Sequence, residues 1–325
     1  MKAAADSNST GISVVVPVLN AAGTLPALLE ALASQQPAPP DEIVLVDSLS
    51  TDATRQIARQ HANVRVVPLG RFSHGRARNL GAQESSGRII VLMTQDALPA
   101  DKRWLAALLE PFDDEQVAAV YSRQIPRPNA PPTERFFLQY HFPPGAPVRR
   151  TRSAQTSAAT LKLPDVFFSN VSAAVRREAL LSYPFDETLI MSEDQQFARD
   201  LIVAGYAIVY QPASVVIHSH RYSLLTAFRR YFDSVYSLTR IFPAHDLKVS
   251  AGMGRRYLRE EAAYILRQHP FYFPYYCLYT LCKVSGVLCS HVAGRMPKGL
   301  ARACSLHRYY WEHEPRDEHA AGPPP

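Results

Sequence analysis

Four short apolar runs, separated by segments with helical spacing, decide what this chain can fold into. They are Ile12-Ser13-Val14-Val15-Val16-Pro17-Val18-Leu19-Asn20, Glu42-Ile43-Val44-Leu45-Val46-Asp47, Val64-Arg65-Val66-Val67 and the run from Arg88 to Met93. Each is short, rich in β-branched residues and nearly unbroken, as strands buried on both faces are. Thr24 and Pro26 open a helix carrying Leu25, Leu28, Leu29 and Leu32 at helical spacing. Ser48 to Asp52 is a loop rich in capping residues before a helix from about Ala53 to Gln60, and Arg76 to Glu84 reads as another. This rhythm predicts a parallel sheet with helices on both faces.

Ligands of open α/β sheets bind at the carboxyl edge of the strands. Two of the runs lead into acids there, at Asp47 and at Met93-Thr94-Gln95-Asp96. Further along come Ser192-Glu193-Asp194 and His218-Ser219-His220. The two histidines alternate on an extended segment, so they point the same way. Acids at strand ends, an acidic pair and a histidine pair are what is needed to activate a hydroxyl and hold a metal-bound diphosphate. No Gly-x-Gly-x-x-Gly follows the first strand and no Gly-x-x-x-x-Gly-Lys occurs. Acids and backbone at strand ends would then have to read a nucleotide, in place of a Rossmann or P-loop site.

Beyond Met93, Trp104–Phe112 predicts a helix and Val117–Tyr121 a strand. From Arg123 to Ser157 the chain is proline-rich and irregular, a character usually linked to function or mobility. Phe167 to Val175 is strand-like, Glu193 to Ala204 is an amphipathic helix with Gly205 as its C-cap, and Tyr206–Tyr210 and Ser214–His218 are two short strands. From Tyr222 the reading is helical.

Charge narrows the partners. The net charge is +6, which suits an anionic partner. Between Lys248 and Arg308 there are ten Lys or Arg against two acids, Glu260 and Glu261, around the cluster Phe271-Tyr272-Phe273-Pro274-Tyr275-Tyr276. That mixture favours a membrane surface slightly over a basic helical region packed on the main domain, and no nucleic-acid readout motif accompanies it. Tyr275 to Val292 is the most apolar stretch, but Lys283, Ser285, Ser290 and His291 interrupt it. It predicts an interfacial or buried helix instead of a transmembrane span. Cys277, Cys282, Cys289 and Cys304 form no Cys-x-x-Cys pair and read as buried free thiols in a reducing compartment. The N-terminal residues carry no secretory pattern, so a cytoplasmic protein is expected.

With these residues in view, the chain resembles family 2 glycosyltransferases. The resemblance starts in Val14–Asn20 and Val46–Thr54. His74-Gly75-Arg76-Ala77-Arg78-Asn79-Leu80-Gly81, Thr94-Gln95-Asp96-Ala97 and Tyr121-Ser122-Arg123-Gln124-Ile125-Pro126-Arg127 are similar to the rhamnosyltransferase-like branch. It continues through Glu193-Asp194 and His218-Ser219-His220 to Met296-Pro297-Lys298 and His307-Arg308-Tyr309-Tyr310-Trp311.

The resemblance implies an α/β GT-A fold: a Rossmann-like, mostly parallel sheet flanked by helices, with a helical C-terminal region. The expected divisions are residues 1–122 for the nucleotide-sugar half, 123–221 for the acceptor and metal half, and 222–325 for a basic C-terminal region. It also implies inverting transfer from a nucleotide-sugar donor, most simply dTDP-L-rhamnose. The acceptor would be a glycan or polyprenyl-linked glycan at the inner face of the cytoplasmic membrane. Donor binding falls to Pro17, Asn20, Asp47, Ser48, Arg78, Gln95 and Asp96. Asp47 would accept from a pyrimidine ring N–H, with a turn-capping role as the alternative. Arg78 would pair with the diphosphate or pack on the base, or else lie on a solvated helix face. Asp96 matches the last acid of the family's Asp-x-Asp motif, but Thr94 stands where the first acid belongs. A divalent metal, Mg or Mn, would rest on Asp96 with His218 or His220. Asp194 would be the general base and Glu193 would orient the acceptor or the loop, although both acids also suit a helix N-terminus. Two rival readings are a sugar-phosphate nucleotidyltransferase and a non-catalytic glycan- or membrane-binding subunit.

Overall fold

The runs become strands because their alternate side chains find cores on opposite faces. A computed structural model of the chain describes residues 11–152, 161–242 and 247–313. Strands β1 (Ile12–Val18), β2 (Glu42–Asp47), β3 (Val64–Pro68) and β4 (Ile89–Met93) are mutually parallel. Between them lie helices α1 (Leu25–Ala33), α2 (Thr54–Ala58) and α3 (His74–Glu84). Val15, Val44, Val46, Ile90 and Leu92 enter one core. Val14, Val16, Ile43, Leu45, Val91 and Met93 enter the other. A period of two with both faces buried is why the sequence runs are unbroken.

The chain continues through β5 (Leu98–Pro99), α4 (Trp104–Leu109), β6 (Val117–Ile125), α5 (Pro132–His141), β7 (Val148–Arg150) and α6 (Leu163–Val166). Then come β8 (Ser172–Arg176), α7 (Arg177–Ser182), α8 (Glu193–Val203) and β9 (Ala207–Ile217). The described strands make one nine-stranded sheet, ordered β3-β2-β1-β4-β8-β6-β9-β5, with β7 also paired to β9. Strand β8 runs antiparallel to both β4 and β6, and β9 runs parallel to β6. The carboxyl ends of β1, β2, β4, β6 and β9 therefore share one edge.

Several expectations need correction. Tyr206–Tyr210 and Ser214–His218 belong to one strand, β9, whose register to β6 shifts between Ser122 and Arg123. Pro212 lies opposite that break and has no N–H for the ladder. The segment Arg123–Ser157 is not irregular throughout, because Pro132 starts α5 in its first turn; residues 153–157 lie outside the described residues. Strand β8 begins only at Ser172, leaving Phe167 to Val171 as a loop. Helix α4 ends at Leu109 and passes into a short tight turn with Pro111. The N-terminal residues read for a secretory signal lie outside the described residues.

Helices α9 (Leu224–Ile241), α10 (Leu247–Gln268), α11 (Phe273–Ser290), α12 (Lys298–Cys304) and α13 (Arg308–His313) follow among the described residues. A third core of Ile190, Met191, Phe232, Tyr236, Ala293, Ala301 and Trp311, with Cys289 of α11 packed against it, ties α9, α12 and α13 to the segment before α8. Gly286 lets α11 cross α9 closely: a Cβ there would collide with the Phe228 carbonyl. All four cysteines are free but none is buried: Cys277 is exposed, and Cys282, Cys289 and Cys304 are half-buried.

Candidate active site

Two loops at the sheet's carboxyl edge are zipped together by side chains. After β1, the Asn20 N–H donates to Ser50 Oγ (2.9 Å), Ala21 to Thr54 Oγ1 (2.7 Å) and Ala22 to Asp52 Oδ2 (2.9 Å). Asn20 Oδ1 accepts from the Thr51 N–H at 2.9 Å. Asn20 and Leu49 both hold positive φ, 50° and 64°, which non-glycine residues rarely adopt. Pro17 lies in β1 opposite Val46.

The expected donor residues occupy this edge with different degrees of freedom. Asp47 is fully buried; its carboxylate accepts from the Ser50 N–H (3.1 Å) and from Arg55 Nε (2.5 Å). Burial alone would raise its pKa, but the Ser50 and Arg55 hydrogen bonds hold it below the ordinary value. Gln95 spends its amide on the Leu19 backbone, accepting from N–H at 2.8 Å and donating to C=O at 3.2 Å. It joins the ends of β1 and β4 as a peptide group would. Ser48 Oγ is buried with no hydrogen-bond partner, a cost that a bound ligand would remove.

Arg78 is neither on a solvated face nor open to a diphosphate. It is 5% exposed, and its Nη1 lies 2.8 Å from Glu193 Oε1. The motif around it is a packing platform. A Cβ on Gly75 would press on the Asp186 carbonyl, and one on Gly81 would collide with Val15. Asn79 donates to the Phe185 carbonyl (2.9 Å) and accepts from the Phe185 N–H (3.0 Å). Close contact of α3 with the sheet and with the chain before α8 delivers Arg78 to Glu193.

The histidines meet Asp96 through β5. Leu98 pairs with Ile217, so Asp96, two residues earlier, faces the residues just after β9. His218 Nε2 lies 3.6 Å and His220 Nδ1 3.9 Å from Asp96 Oδ2. One ligand atom from each residue lies within 4.8 Å of the others. Burial lowers the His218 pKa to about 3 against the pull of Asp96, and lowers that of His220. Burial would raise Asp96, but His218, His220 and Arg127 bring it below its ordinary value. Two neutral imidazoles and an ionised carboxylate are a ligand set suited to a divalent ion.

Gln124 fixes the imidazole. Its Nε2 donates to Ser169 Oγ at 2.9 Å, which turns Oε1 toward His218 Nδ1, also at 2.9 Å. Nδ1 then carries the proton and Nε2 keeps its lone pair toward Asp96. Arg127 clips the backbone: Nη1 donates to the Ser219 carbonyl (2.8 Å) and Nη2 to the Asp96 carbonyl. Glu134 accepts from the His220 N–H at 3.0 Å. Gln124→Leu is expected to weaken Mn²⁺ affinity by about 10–100-fold, read by titrating the metal against the protein alone.

The acidic pair divides in environment. Burial would raise Glu193, but Arg78 beside it keeps its pKa below the ordinary value. Asp194 is pushed up to about 7 by burial and by the Glu193 charge. Neighbouring acids with pKa values driven apart are a recognised sign of acid–base chemistry. Asp194 Oδ1 also accepts from the Gln195 N–H at 3.0 Å, within the first turn of α8. Ser192, just before the pair, sits at φ 64°, a strained setting for a serine.

One loop unites both halves. Ser169 holds Gln124 and so His218. Asn170 Nδ2 donates to Glu193 Oε1 at 3.3 Å, and its backbone N–H reaches Asp194. The Val171 carbonyl accepts from the Thr94 N–H at 3.2 Å. Gln124, Arg127, Glu134 and Asn170 were not legible as site residues; the only sequence signal was Ser122–Arg127 within the resembled motif.

A family model described as glycosyl transferase family 2 matches residues 13–183. The chain is 31% identical over 307 residues to the O-antigen chain rhamnosyltransferase RfbN of Salmonella typhimurium, covering 92% of this chain and 96% of that protein. It is 33% identical over 279 residues to the O-antigen chain rhamnosyltransferase WbaN of Salmonella anatum, covering 84% and 86%. Among solved structures, a mannosyltransferase of Pyrobaculum calidifontis in complex with GDP-Man and Mn²⁺ superposes with a TM-score of 0.58 at 18% identity, covering 89% of this chain and 90% of that one. Glucosyl-3-phosphoglycerate synthase of Mycobacterium tuberculosis gives 0.52 at 21% identity, over 73% and 82%. The fold shared with them is GT-A.

Proposed function

This chain belongs to glycosyltransferase family 2, and from that premise we propose that it transfers L-rhamnose, with inversion, from dTDP-L-rhamnose to a polyprenyl-linked glycan of a surface polysaccharide. The sugar and the polymer rest on likeness to the two O-antigen chain rhamnosyltransferases over most of the chain. The observation that carries the chemistry is the Ser169–Asn170–Val171 loop. It joins the raised carboxyl of Asp194 to the Asp96–His218–His220 group.

Asp194, deprotonated, takes the proton of the acceptor hydroxyl as that oxygen attacks the anomeric carbon. The new bond forms on the face opposite the diphosphate, and the bond from the anomeric carbon to the phosphate oxygen breaks with its electron pair. Asp96, His218 and His220 would hold a divalent ion, Mn²⁺ in preference to Mg²⁺ because two donors are nitrogens. When bound, that ion supplies charge neutralisation to the leaving diphosphate. Asp47 and the unpartnered Ser48 hydroxyl stand at the edge where the nucleotide base would lie, with Pro17, Asn20 and Gln95 shaping that wall. Arg78 acts from behind, through Glu193.

The acceptor's lipid puts the enzyme at the inner face of the cytoplasmic membrane as a peripheral protein. No helix among the described residues is long and apolar enough to cross a membrane. The test is metal-dependent binding and hydrolysis across a panel of nucleotide sugars. Selection of dTDP-rhamnose, with binding weakened in Asp96→Ala, is the expected result. If no nucleotide sugar binds with any metal, the transferase reading fails and the non-catalytic one replaces it.

A further inference from the structure

Helix α11 is turned inside out. Its only charged residue, Lys283, points into the protein and is 4% exposed. There Lys283 Nζ pairs with the fully buried Glu261 at 2.9 Å and lies over the rings of Tyr231, Tyr257 and Tyr279. The large apolar residues face outward: Leu278 is 54% exposed, Leu281 63%, Leu288 50% and Val292 46%. Phe271, just before the helix, is wholly exposed. At 100° per residue Leu278, Leu281 and Leu288 fall on one face of α11, and Lys283 falls opposite it. A helix in water places its charges and leucines the other way round. Burying an ion pair is also costly against an apolar alternative, so the arrangement is not explained by stability in water.

The apolar face continues onto α9. An apolar groove of about 490 Å³ opens there between the two helices, lined by Leu224, Leu225, Phe228, Leu281, Cys282 and Ser285. Leu225 on its rim is 54% exposed. Exposed basic residues bracket the face at both ends of α11. Arg267 precedes Phe271, Arg221 acts on the neighbouring Tyr272, and Arg295 and Lys298 follow Val292. An apolar face between cationic ends matches the acyl region and head groups of an anionic bilayer. A second copy fits less well, since a two-fold contact would bring these like charges together.

We propose that the outer face of α11, with the groove against α9, docks on an anionic phospholipid surface, the leucines entering the acyl boundary and Arg221, Arg267, Arg295 and Lys298 meeting head groups. Helix α9 starts only four residues after His220. Docking along it would hold the candidate active site beside the bilayer, where a lipid-linked acceptor is anchored. This rests on the membrane placement proposed above.

The experiment is co-sedimentation of the full chain with phosphatidylcholine vesicles, with and without phosphatidylglycerol, and with no nucleotide sugar present. Failure here is thereby distinguishable from failure of the transferase reading. The wild type is expected to pellet with the anionic vesicles and to be released by salt. Leu281→Glu/Leu288→Glu is expected to partition at least about a hundredfold less, with an unchanged thermal transition because both side chains are already exposed. Arg295→Glu/Lys298→Glu is expected to lose the preference for phosphatidylglycerol. Light scattering of lipid-free protein should give a monomer for wild type and variants. The proposal is overturned if the wild type stays in the supernatant with both vesicles, if the leucine variant pellets as well as wild type, or if a lipid-free dimer is dissociated by that variant, which would make a second copy the occupant.

Discussion

Asp194→Asn is expected to reduce turnover by about 10²–10⁴-fold, the range for loss of a general base, while leaving binding of the nucleotide sugar intact. The acid sits at the start of α8, half-buried, with Glu193 beside it and a pKa pushed up to about 7. A base works when deprotonated, so wild-type turnover should rise with pH through about 7 and level off above it. That limb should vanish in the variant. Stability gives an independent check with its own sign. A carboxyl whose folded pKa is raised favours the folded state while protonated; its ionisation costs stability progressively from its ordinary value of 3.8 up to about 7, and the cost is constant above that. Asparagine cannot ionise, so above pH 7 the variant should melt no lower than wild type. If it unfolds early and turns over normally when folded, Asp194 is a helix cap and nothing more.

Removing Arg78 is expected to be the most damaging single change to stability. Arg78→Met leaves the Glu193 carboxylate buried without its partner, and breaking such a pair from one side costs about 3–5 kcal/mol, read by urea or thermal unfolding. The double variant Arg78→Met/Glu193→Gln should recover most of that loss, since no buried charge is then left alone. Arg78 also lowers the Asp194 pKa, so in any folded Arg78→Met the rising limb of the pH profile should move to higher pH. These readouts separate a positioning role from a donor contact: an arginine on the diphosphate would raise KM for the donor without the stability loss or its rescue.

The strands, the helices between them and the acids at their ends were legible because they depend on local patterns. A doubly buried strand needs an unbroken apolar run, and a short run such as Val14–Val18 admits few other structures. His218 and His220 were readable as a same-face pair for the same reason, and Asp96 as a strand-end acid. What misled was equally local. Arg78 and Gln95 looked free for a ligand because their partners, Glu193 and the Leu19 backbone, lie 115 and 76 residues away. The inverted face of α11 was hidden because composition does not say which side of a helix meets the protein; the pairing of Lys283 with Glu261 on α10 decides it.

Local patterns alone are enough for a parallel α/β sheet with its chemistry at the carboxyl edge, since period-two burial and helical spacing are properties of adjacent residues. Which polar groups are already spent on one another, and which remain for substrate, depends on how distant elements pack. The reason is physical: buried polar groups must be satisfied, and the loop Ser169–Val171 that satisfies Gln124, Glu193, Asp194 and Thr94 together exists only when β4, β6, β8 and α8 have packed.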